Sequence, residues 1–417
     1  MNTTHVKLSP AVLLTFVLLL CNLSAIARPQ EKIKKKEISQ SYSVSAGDRL
    51  QVENRYGNIT VTHWNQNTVA IRVEVECKAR SEERAQENLD RIQIETKKIG
   101  GIVSAVTTIK KEMNSNSNNE SMTINYYIQM PPKLAADLNQ KYGNINLPSD
   151  NNGNMDIHVK YGNLNAGNFT ANAMIEAKYG NIEVGNLQDA QLDLGYVGTA
   201  KIRNAKDLTI DSKYSNLDIQ DIQSLRMEIK YGNLTIESVS RLDMEIKYSD
   251  AKIGTLKDAL NVSSLSYSNL KIRNLSPSFS KVNVESHYGN LEVALPAKTS
   301  FRIVAENMKY SSCDVNGFNI TRKHFDDEDR DKNYTYEING GKQPTIHFEG
   351  NRYGNLKVKA KPNSGVGDGG PPLFSTTGYF YFEVFCRRIS SLFNQLSSCV
   401  NRKKQEIPEA IVKTIGK

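Results

Sequence analysis

The sequence predicts an all-β chain: a single-chain parallel β-helix (β-solenoid) of about ten to twelve short coils, preceded by a β-rich segment with one short helix. Three observations predict it. The phrase Lys-Tyr-Gly-Asn and its variants place tyrosines at Tyr142, Tyr161, Tyr179, Tyr196, Tyr214, Tyr231, Tyr248, Tyr267, Tyr288 and Tyr310, at intervals of 17 to 22 residues, with outlying copies at Tyr56 and Tyr353. Between the tyrosines, apolar and polar residues alternate at period two, as in strands with one buried face. A shift of 17 residues lays Leu225, Met227 and Ile229 on Leu242, Met244 and Ile246. So short a unit cannot bury an apolar face alone and must stack on its own copies. Parallel stacking about 4.8 Å apart sets each strand beside its equivalent, and ten coils make a rod on the order of 45 Å long.

Residues 1–27 read as a signal peptide: Lys7 is the positive start, Ala11 to Leu20 the apolar stretch, and Ala25-Ile26-Ala27 the cleavage site, leaving a mature chain from Arg28. An uncleaved anchor and a lipoprotein on Cys21 are the other readings, the latter opposed by Leu20 where a small residue is wanted. No other stretch has the roughly 18 apolar residues of a membrane span. Residues 28–39 form a basic leader. The β-rich segment, 40–133, caps the solenoid. Its strands are expected at Gln51 to Val61, Val69 to Cys77, Ile92 to Thr96, Ile102 to Ile109 and Met122 to Met130, with a Ser81-capped helix to Asp90 and an Asn/Ser loop over Asn114 to Asn119.

The β-helix repeat domain spans 134–360. In its template coil, Leu225 to Tyr231 is one short strand, Gly232-Asn233 a turn, Leu234 to Ile236 a second strand, and Ser238-Val239-Ser240 the way back. The residue after tyrosine is Gly in seven of twelve copies and Ser in four, and the next is Asn in nine. Gly and Asn tolerate the left-handed region, so they are expected to carry the bend. Stacked amides suggest a turn ladder of Asn144, Asn163, Asn181, Asn216, Asn233, Asn269 and Asn290. Tyr196-Val197-Gly198-Thr199 carries one extra residue, predicting a bulge in that coil. The tyrosines fall in phase with the inward set, predicting rings packed at the edge of the core. An insertion spans Asn316 to Gln343, residues 361–372 are a Gly/Pro linker, and 373–417 are an aromatic-rich tail that caps the rod, touches a membrane surface or is disordered.

Chemistry is scarce. The net charge of +8 and pI near 9.0 permit an anionic partner. Lysines before the tyrosines run beside an acidic column at Glu176, Asp211, Glu228, Glu245 and Glu285, which favours pairing between coils over a grip on nucleic acid. These carboxylates follow the period and show no local cluster of the kind polysaccharide cleavage requires. His287 reads as an outward solvated residue. Gly365-Val366-Gly367-Asp368-Gly369-Gly370 matches GxGxxG, but Pro371-Pro372 follows where a helix is needed, which removes the phosphate cradle. Asp327, Asp329 and Asp331 have calcium-loop spacing, with Lys332 where glycine is required, and are weak candidates only. Cys77 and Cys313 read as core filler; Cys386 and Cys399 are free to pair. No catalytic residue, cofactor or metal is expected.

The short repeat with Tyr-Gly-Asn-Leu/Ile turns, together with the opening Val44-Ser45-Ala46-Gly47-Asp48-Arg49-Leu50 to Ile59, resembles the "putative adhesin" family of bacterial envelope proteins over residues 40–360. The family shows Asn-Gly-Asp-Ile at the turn where this chain favours Tyr-Gly-Asn-Leu. The resemblance implies an exported, non-enzymatic parallel β-helix of unknown function, at home in the periplasm, at the cell surface or outside the cell, with a surface ligand such as a glycan or matrix protein. A polysaccharide-acting enzyme and a fibre-forming subunit are the alternatives.

Overall fold

The computed structural model describes residues 31–110, 120–328 and 331–361. The chain divides into two units, Met1–Asn363 and Ser364–Lys417, and the described residues belong to the first. The signal peptide with Cys21, the Asn114 to Asn119 loop, Asp329, the 373–417 tail, Cys386, Cys399 and all of the 361–372 linker but Lys361 lie outside the described residues.

The first unit is all-β with one helix, its strands joined in an open sheet that does not close into a barrel. In order come β1 (Lys32–Ser43), β2 (Arg49–Arg55), β3 (Ile59–His63), β4 (Thr68–Ala79), α1 (Glu82–Asp90), β5 (Ile92–Ile99), β6 (Ile102–Ile109) and β7 (Ser121–Met130). The repeats supply β8 (Ala135–Lys141), β9 (Ile145–Asn146), β10 (Asp150–Asn151), β11 (Met155–Lys160), β12 (Leu164–Ala166), β13 (Asn168–Lys178), β14 (Ile182–Gly195), β15 (Ala200–Lys213), β16 (Asn216–Lys230), β17 (Asn233–Lys247), β18 (Asp250–Ser266), β19 (Asn269–Leu275), β20 (Lys281–His287), β21 (Asn290–Pro296), β22 (Phe301–Glu306) and β23 (Cys313–Asn316). The hairpin β24 (Ile320–Glu328) and β25 (Asp331–Ile338), then β26 (Thr345–Arg352) and β27 (Asn355–Lys361), complete the unit.

Successive repeats pair in parallel at an offset of one repeat. Leu217 lies beside Leu234, Ile219 beside Ile236 and Ile229 beside Ile246; the next step sets Ile236 beside Ile253. Each repeat buries three groups of side chains, Leu234 with Ile236, then Val239, then Leu242 with Met244 and Ile246, and these columns run on as one core. The return segment therefore differs from the expectation. It is hydrogen-bonded along with the rest, so β17 continues unbroken from Asn233 to Lys247, because Val239 gives it an apolar anchor of its own.

The extra residue near Tyr196 leaves the ladder intact. Ala200 pairs with Ile182 and with Leu217 in unshifted register, and the surplus is absorbed in the bend, where Val197 is buried and its N–H donates to Ser215 Oγ at 2.9 Å. Register shifts fall elsewhere, as between Val239 and Arg241 against β18, whose repeat is longer.

Stacking order departs from chain order at the C-terminal end. β26 runs between β20 and β22, and β27 between β21 and β23, so the Tyr353 repeat is threaded between those of Tyr288 and Tyr310. The insertion supplies the link: β25 pairs antiparallel with β22, and β24 with β25. At the other end β2 sits between β6 and β8, with β5 antiparallel on β6, while β7 carries β4 antiparallel and β4 carries β1. Antiparallel strands thus cover the N-terminal edge of the parallel stack, and β22 at the other edge, while β23 there pairs with β27 alone; a bare edge offers unpaired backbone to other chains.

Two N-terminal expectations meet different outcomes. Helix α1 forms as expected, Ser81 Oγ accepting from Arg84 N–H at 3.2 Å, with Ala85 and Leu89 buried. The basic leader is instead strand β1 from Lys32, twelve residues paired with β4. Its Lys34, Lys35 and Lys36 are the charges that protect an edge strand, and Lys35 pairs with Glu76 at 2.8 Å.

Candidate functional site: an exposed tyrosine ladder

All twelve motif tyrosines have positive φ, from 49° to 60°. The left-handed residue of each bend is therefore the tyrosine, and neither the Gly nor the Asn that follows. This turns the side chain off the inner face of its strand. Contrary to the sequence expectation, the rings stand outside the core: Tyr231 is 46% and Tyr248 50% exposed, whereas Ile229 and Ile246 beside them are fully buried.

The rings stack on one another without a gap. From Tyr56 through Tyr142, Tyr161 and onward to Tyr288, adjacent centroids lie 4.8–5.1 Å apart with interplanar angles of 2–9°. Tyr353 follows at 5.5 Å and Tyr310 after it at 5.2 Å, with the angles opening to 20° and 17°. The outlying copies Tyr56 and Tyr353 are thus members of the column. A left-handed non-glycine residue costs about 1–2 kcal/mol, and a stacked aromatic pair returns about 0.5–1.5 kcal/mol. The two effects are of similar size.

The glycine after the tyrosine serves close approach. A Cβ on Gly143 would stand 1.5 Å from Gly57 O, on Gly162 1.7 Å from Gly143 O, and on Gly232 1.9 Å from Ser215 O. Where serine replaces it, the hydroxyl ties the bend together. Ser249 Oγ donates to Lys247 O at 2.8 Å and accepts from Gly232 N–H of the preceding repeat at 3.1 Å. Ser215 does the same with Lys213 O and Val197 N–H.

The seven asparagines of the expected turn ladder stand in one column beside the rings. Asn163 Nδ2 donates to Asn144 Oδ1 at 3.0 Å, Asn181 to Asn163 at 3.3 Å, Asn233 to Asn216 at 2.9 Å and Asn290 to Asn269 at 2.8 Å. Asn355 extends the run to Asn290 at 2.8 Å, and Asn269 donates to Asp250 at 2.8 Å. Between Asn181 and Asn216 the column holds Thr199, whose N–H donates to Asn181 Oδ1, and Asn216 turns to Gly198 O.

On the other flank the lysines are neutralised, mostly within their own strand. Residues i and i+2 share a face, so Lys178 pairs with Glu176, Lys230 with Glu228 and Lys247 with Glu245, where pairing between coils was expected. Hydrogen bonds from Lys178 and Lys230 hold the Glu176 and Glu228 carboxyls below the usual range, and the same bonds raise the two lysines. Lys141 and Lys160 lie over the rings of Tyr142 and Tyr161, at 5.0 and 5.4 Å from the centroids.

The first repeats gather groups that the sequence scattered. Asp137 pairs in register with Asp156, and His158 lies 3.0 Å from both Asp156 Oδ1 and Glu176 Oε2. Burial and then the Asp156 charge raise the Asp137 carboxyl above its ordinary value. Asp137 and Asp156 line a groove of about 830 Å³ with Arg49, Asn154 and Gln191. A local carboxylate cluster therefore exists where an even spread was expected; parallel stacking brings residues 18–19 positions apart side by side.

The remaining candidates are placed as follows. Asp327 and Asp331 flank the tip of the β24–β25 hairpin, Asp327 opposite Lys332. Among the described residues no group of three or more His, Cys, Asp or Glu is arranged to hold a metal. His287 is exposed in β20. Cys77 is fully buried and its thiol pushed up to about 11 by burial; the half-buried Cys313 is pushed to about 12 in the same way. Both are free thiols. Among the described residues no helix is long and apolar enough to cross a membrane.

No family model matches the chain, and no curated protein matches it. Among solved structures, a "putative adhesin" from Parabacteroides distasonis is 13% identical, covering 80% of this chain and 98% of that one, with a TM-score of 0.31. One of the same description from Bacteroides fragilis is 12% identical over 78% and 98%, at a TM-score of 0.27. A "putative lipid binding protein" from Parabacteroides distasonis is 9% identical over 77% and 96%, at a TM-score of 0.22.

The bend chemistry sets an order of substitutions at Tyr214, whose ring stacks at 4.8 Å on both Tyr196 and Tyr231. Tyr214→Asn keeps a residue suited to φ 55° and loses the two stacked pairs, about 2 kcal/mol together. Tyr214→Val loses the stacking and adds a β-branched residue in the left-handed region, at least about 1 kcal/mol more. Thermal unfolding of the two variants should show valine clearly worse; equal midpoints would mean that the bend does not hold this position left-handed.

Proposed function

We propose that the chain is an exported, non-enzymatic binding protein of the cell envelope, adhesin-like, built as a single-chain parallel β-helix that presents the tyrosine ladder to a surface ligand. The ladder is the observation that carries this reading. Eleven of its tyrosines are exposed, more than the other large exposed apolar side chains of the described residues together, which are Ile33, Ile99, Met174, Ile320 and Phe325. A continuous stripe of aromatic surface on an otherwise charged exterior is the mark of an interaction site. Export rests on the apolar leader at residues 1–27, and the 373–417 tail remains a candidate for membrane-surface contact. Lysines neutralised by their own strands speak against nucleic acid as the partner.

Two other readings compete. The cluster of Asp137, Asp156, His158 and Glu176, of which Asp137 and Asp156 line a groove, favours a polysaccharide-acting enzyme, since a raised carboxyl beside a second carboxylate suits general acid work. A fibre subunit requires bare ends, and the antiparallel strands over the N-terminal edge and over β22 oppose it. Residues 28–417 screened against glycans and matrix proteins should bind without turnover. Glycan cleavage that Asp137→Asn abolishes would replace the binding reading with the enzymatic one.

A further inference from the structure

We infer that the ligand of the tyrosine ladder is an uncharged, linear β-1,4-linked polysaccharide lying along the column; this rests on the binding reading above and specifies its substrate class. Three features of the surface select that chemistry.

The first is spacing. Each ring is covered on both faces by its neighbours, so within the column no face is open to a sugar stacked flat upon it. What the column offers is a row of ring edges and phenolic hydroxyls repeating every 4.8–5.1 Å over the ten rings from Tyr56 to Tyr288. The rise per sugar of an extended β-1,4-linked chain lies close to this spacing, and because successive sugars are flipped, alternate sugars present the same edge to every second ring.

The second is straightness. Interplanar angles of 2–9° along these rings mean that each ring plane is tilted only slightly from the one before it. A flat, ribbon-like glycan follows such a track, whereas an α-1,4-linked chain coils away from it after a few sugars.

The third is charge. Lys178, Lys230 and Lys247 are bound to the glutamates two residues before them, whereas Lys141 and Lys160 stand beside the rings of Tyr142 and Tyr161 and keep their charge. On the opposite flank the Asn column is uncharged except at Asp250, with each amide of its paired members donating one N–H to the preceding repeat. From Tyr179 to Tyr248, where the flanking lysines are paired, such a strip gives hydrogen bonds to hydroxyls and little net field for a polyanion. Many weak, regularly spaced contacts on a rigid scaffold then add through multivalency, since each bound sugar raises the effective concentration of the next.

The experiment is depletion of the full mature chain, residues 28–417, from solution by microcrystalline cellulose and by chitin, with amylose, a sulfated glycan and a matrix protein as comparison ligands. Binding to cellulose or chitin that persists in high salt is expected. The combined variant Tyr196→Asn, Tyr214→Asn, Tyr231→Asn and Tyr248→Asn keeps residues suited to the left-handed bend and should bind roughly tenfold or more weakly. Tyr→Phe at the same four positions keeps the stack and removes only hydroxyls, so it decides the matter if the asparagine variant does not fold, and it too should weaken binding. The inference is overturned if a folded variant of either kind binds like the parent, or if the protein takes the sulfated glycan, amylose or matrix protein in place of cellulose and chitin; the binding reading survives both results. Failure to bind any of the five ligands overturns the inference and the binding reading together.

Discussion

Gly162→Ala is expected to destabilise the protein by about 3 kcal/mol, the upper part of the range for overpacking. The added methyl group would stand 1.7 Å from Gly143 O and 2.6 Å from Gly143 C. Both atoms are backbone of the neighbouring repeat, so no side chain can swing aside. Relief requires the two repeats to part at the bend, where Tyr142 N–H donates to Lys160 O at 2.9 Å, Ile145 N–H donates to Asn163 O at 2.9 Å, and the rings of Tyr142 and Tyr161 stack at 5.0 Å. The next repeat is packed as closely, since a Cβ on Gly180 would meet Gly162 O at 1.7 Å. Gly100→Ala is the control: φ there is +55°, but nothing lies within 4 Å of the new atom, so only about 1 kcal/mol of backbone strain is added. Urea unfolding midpoints should fall much further for Gly162→Ala than for Gly100→Ala. Equal shifts would mean that the repeats are not held as close as this bend requires.

The period and the buried columns were legible in the sequence because both follow from side-chain alternation. Leu242, Met244 and Ile246 are buried as their spacing requires. The direction of the tyrosines was not legible by that rule, because alternation assumes unbroken strand geometry up to the bend and the left-handed residue ends it one position early. A signal was nevertheless present. The position after the tyrosine accepts Ser215, Ser249, Ser268 and even Val197, which a left-handed site would disfavour, whereas the tyrosine itself never varies among the copies.

Strand β1 was hidden by its lysines, since the charges that keep an edge strand from pairing further are those of a solvated leader. The threading of the Tyr353 repeat between Tyr288 and Tyr310 was hidden for another reason: spacing along the chain fixes the size of a repeat but not the order in which repeats stack. The cluster at Asp137, Asp156, His158 and Glu176 was missed because each residue is unremarkable within its own repeat, and only register brings the four together.

In-register stacking of one repeat upon the next makes the second large effect a contrast between two deletions. Removing Met227 to Asp243 takes out one whole repeat and joins Arg226 to Met244, which already occupy equivalent register positions as neighbours of Asp243 and Met227. The downstream strand then meets β15 with the same side chains inward, and the ladder loses one tyrosine and closes up. Removing only Met227 to Thr235 takes out about half a repeat, so every downstream bend falls opposite an upstream strand and apolar columns face solvent. Far-UV circular dichroism with urea unfolding of the two deletions tests this most directly. The account predicts a folded, cooperatively unfolding protein for the 17-residue deletion and an unfolded one for the nine-residue deletion; equal tolerance of both, or equal loss of structure in both, would contradict it.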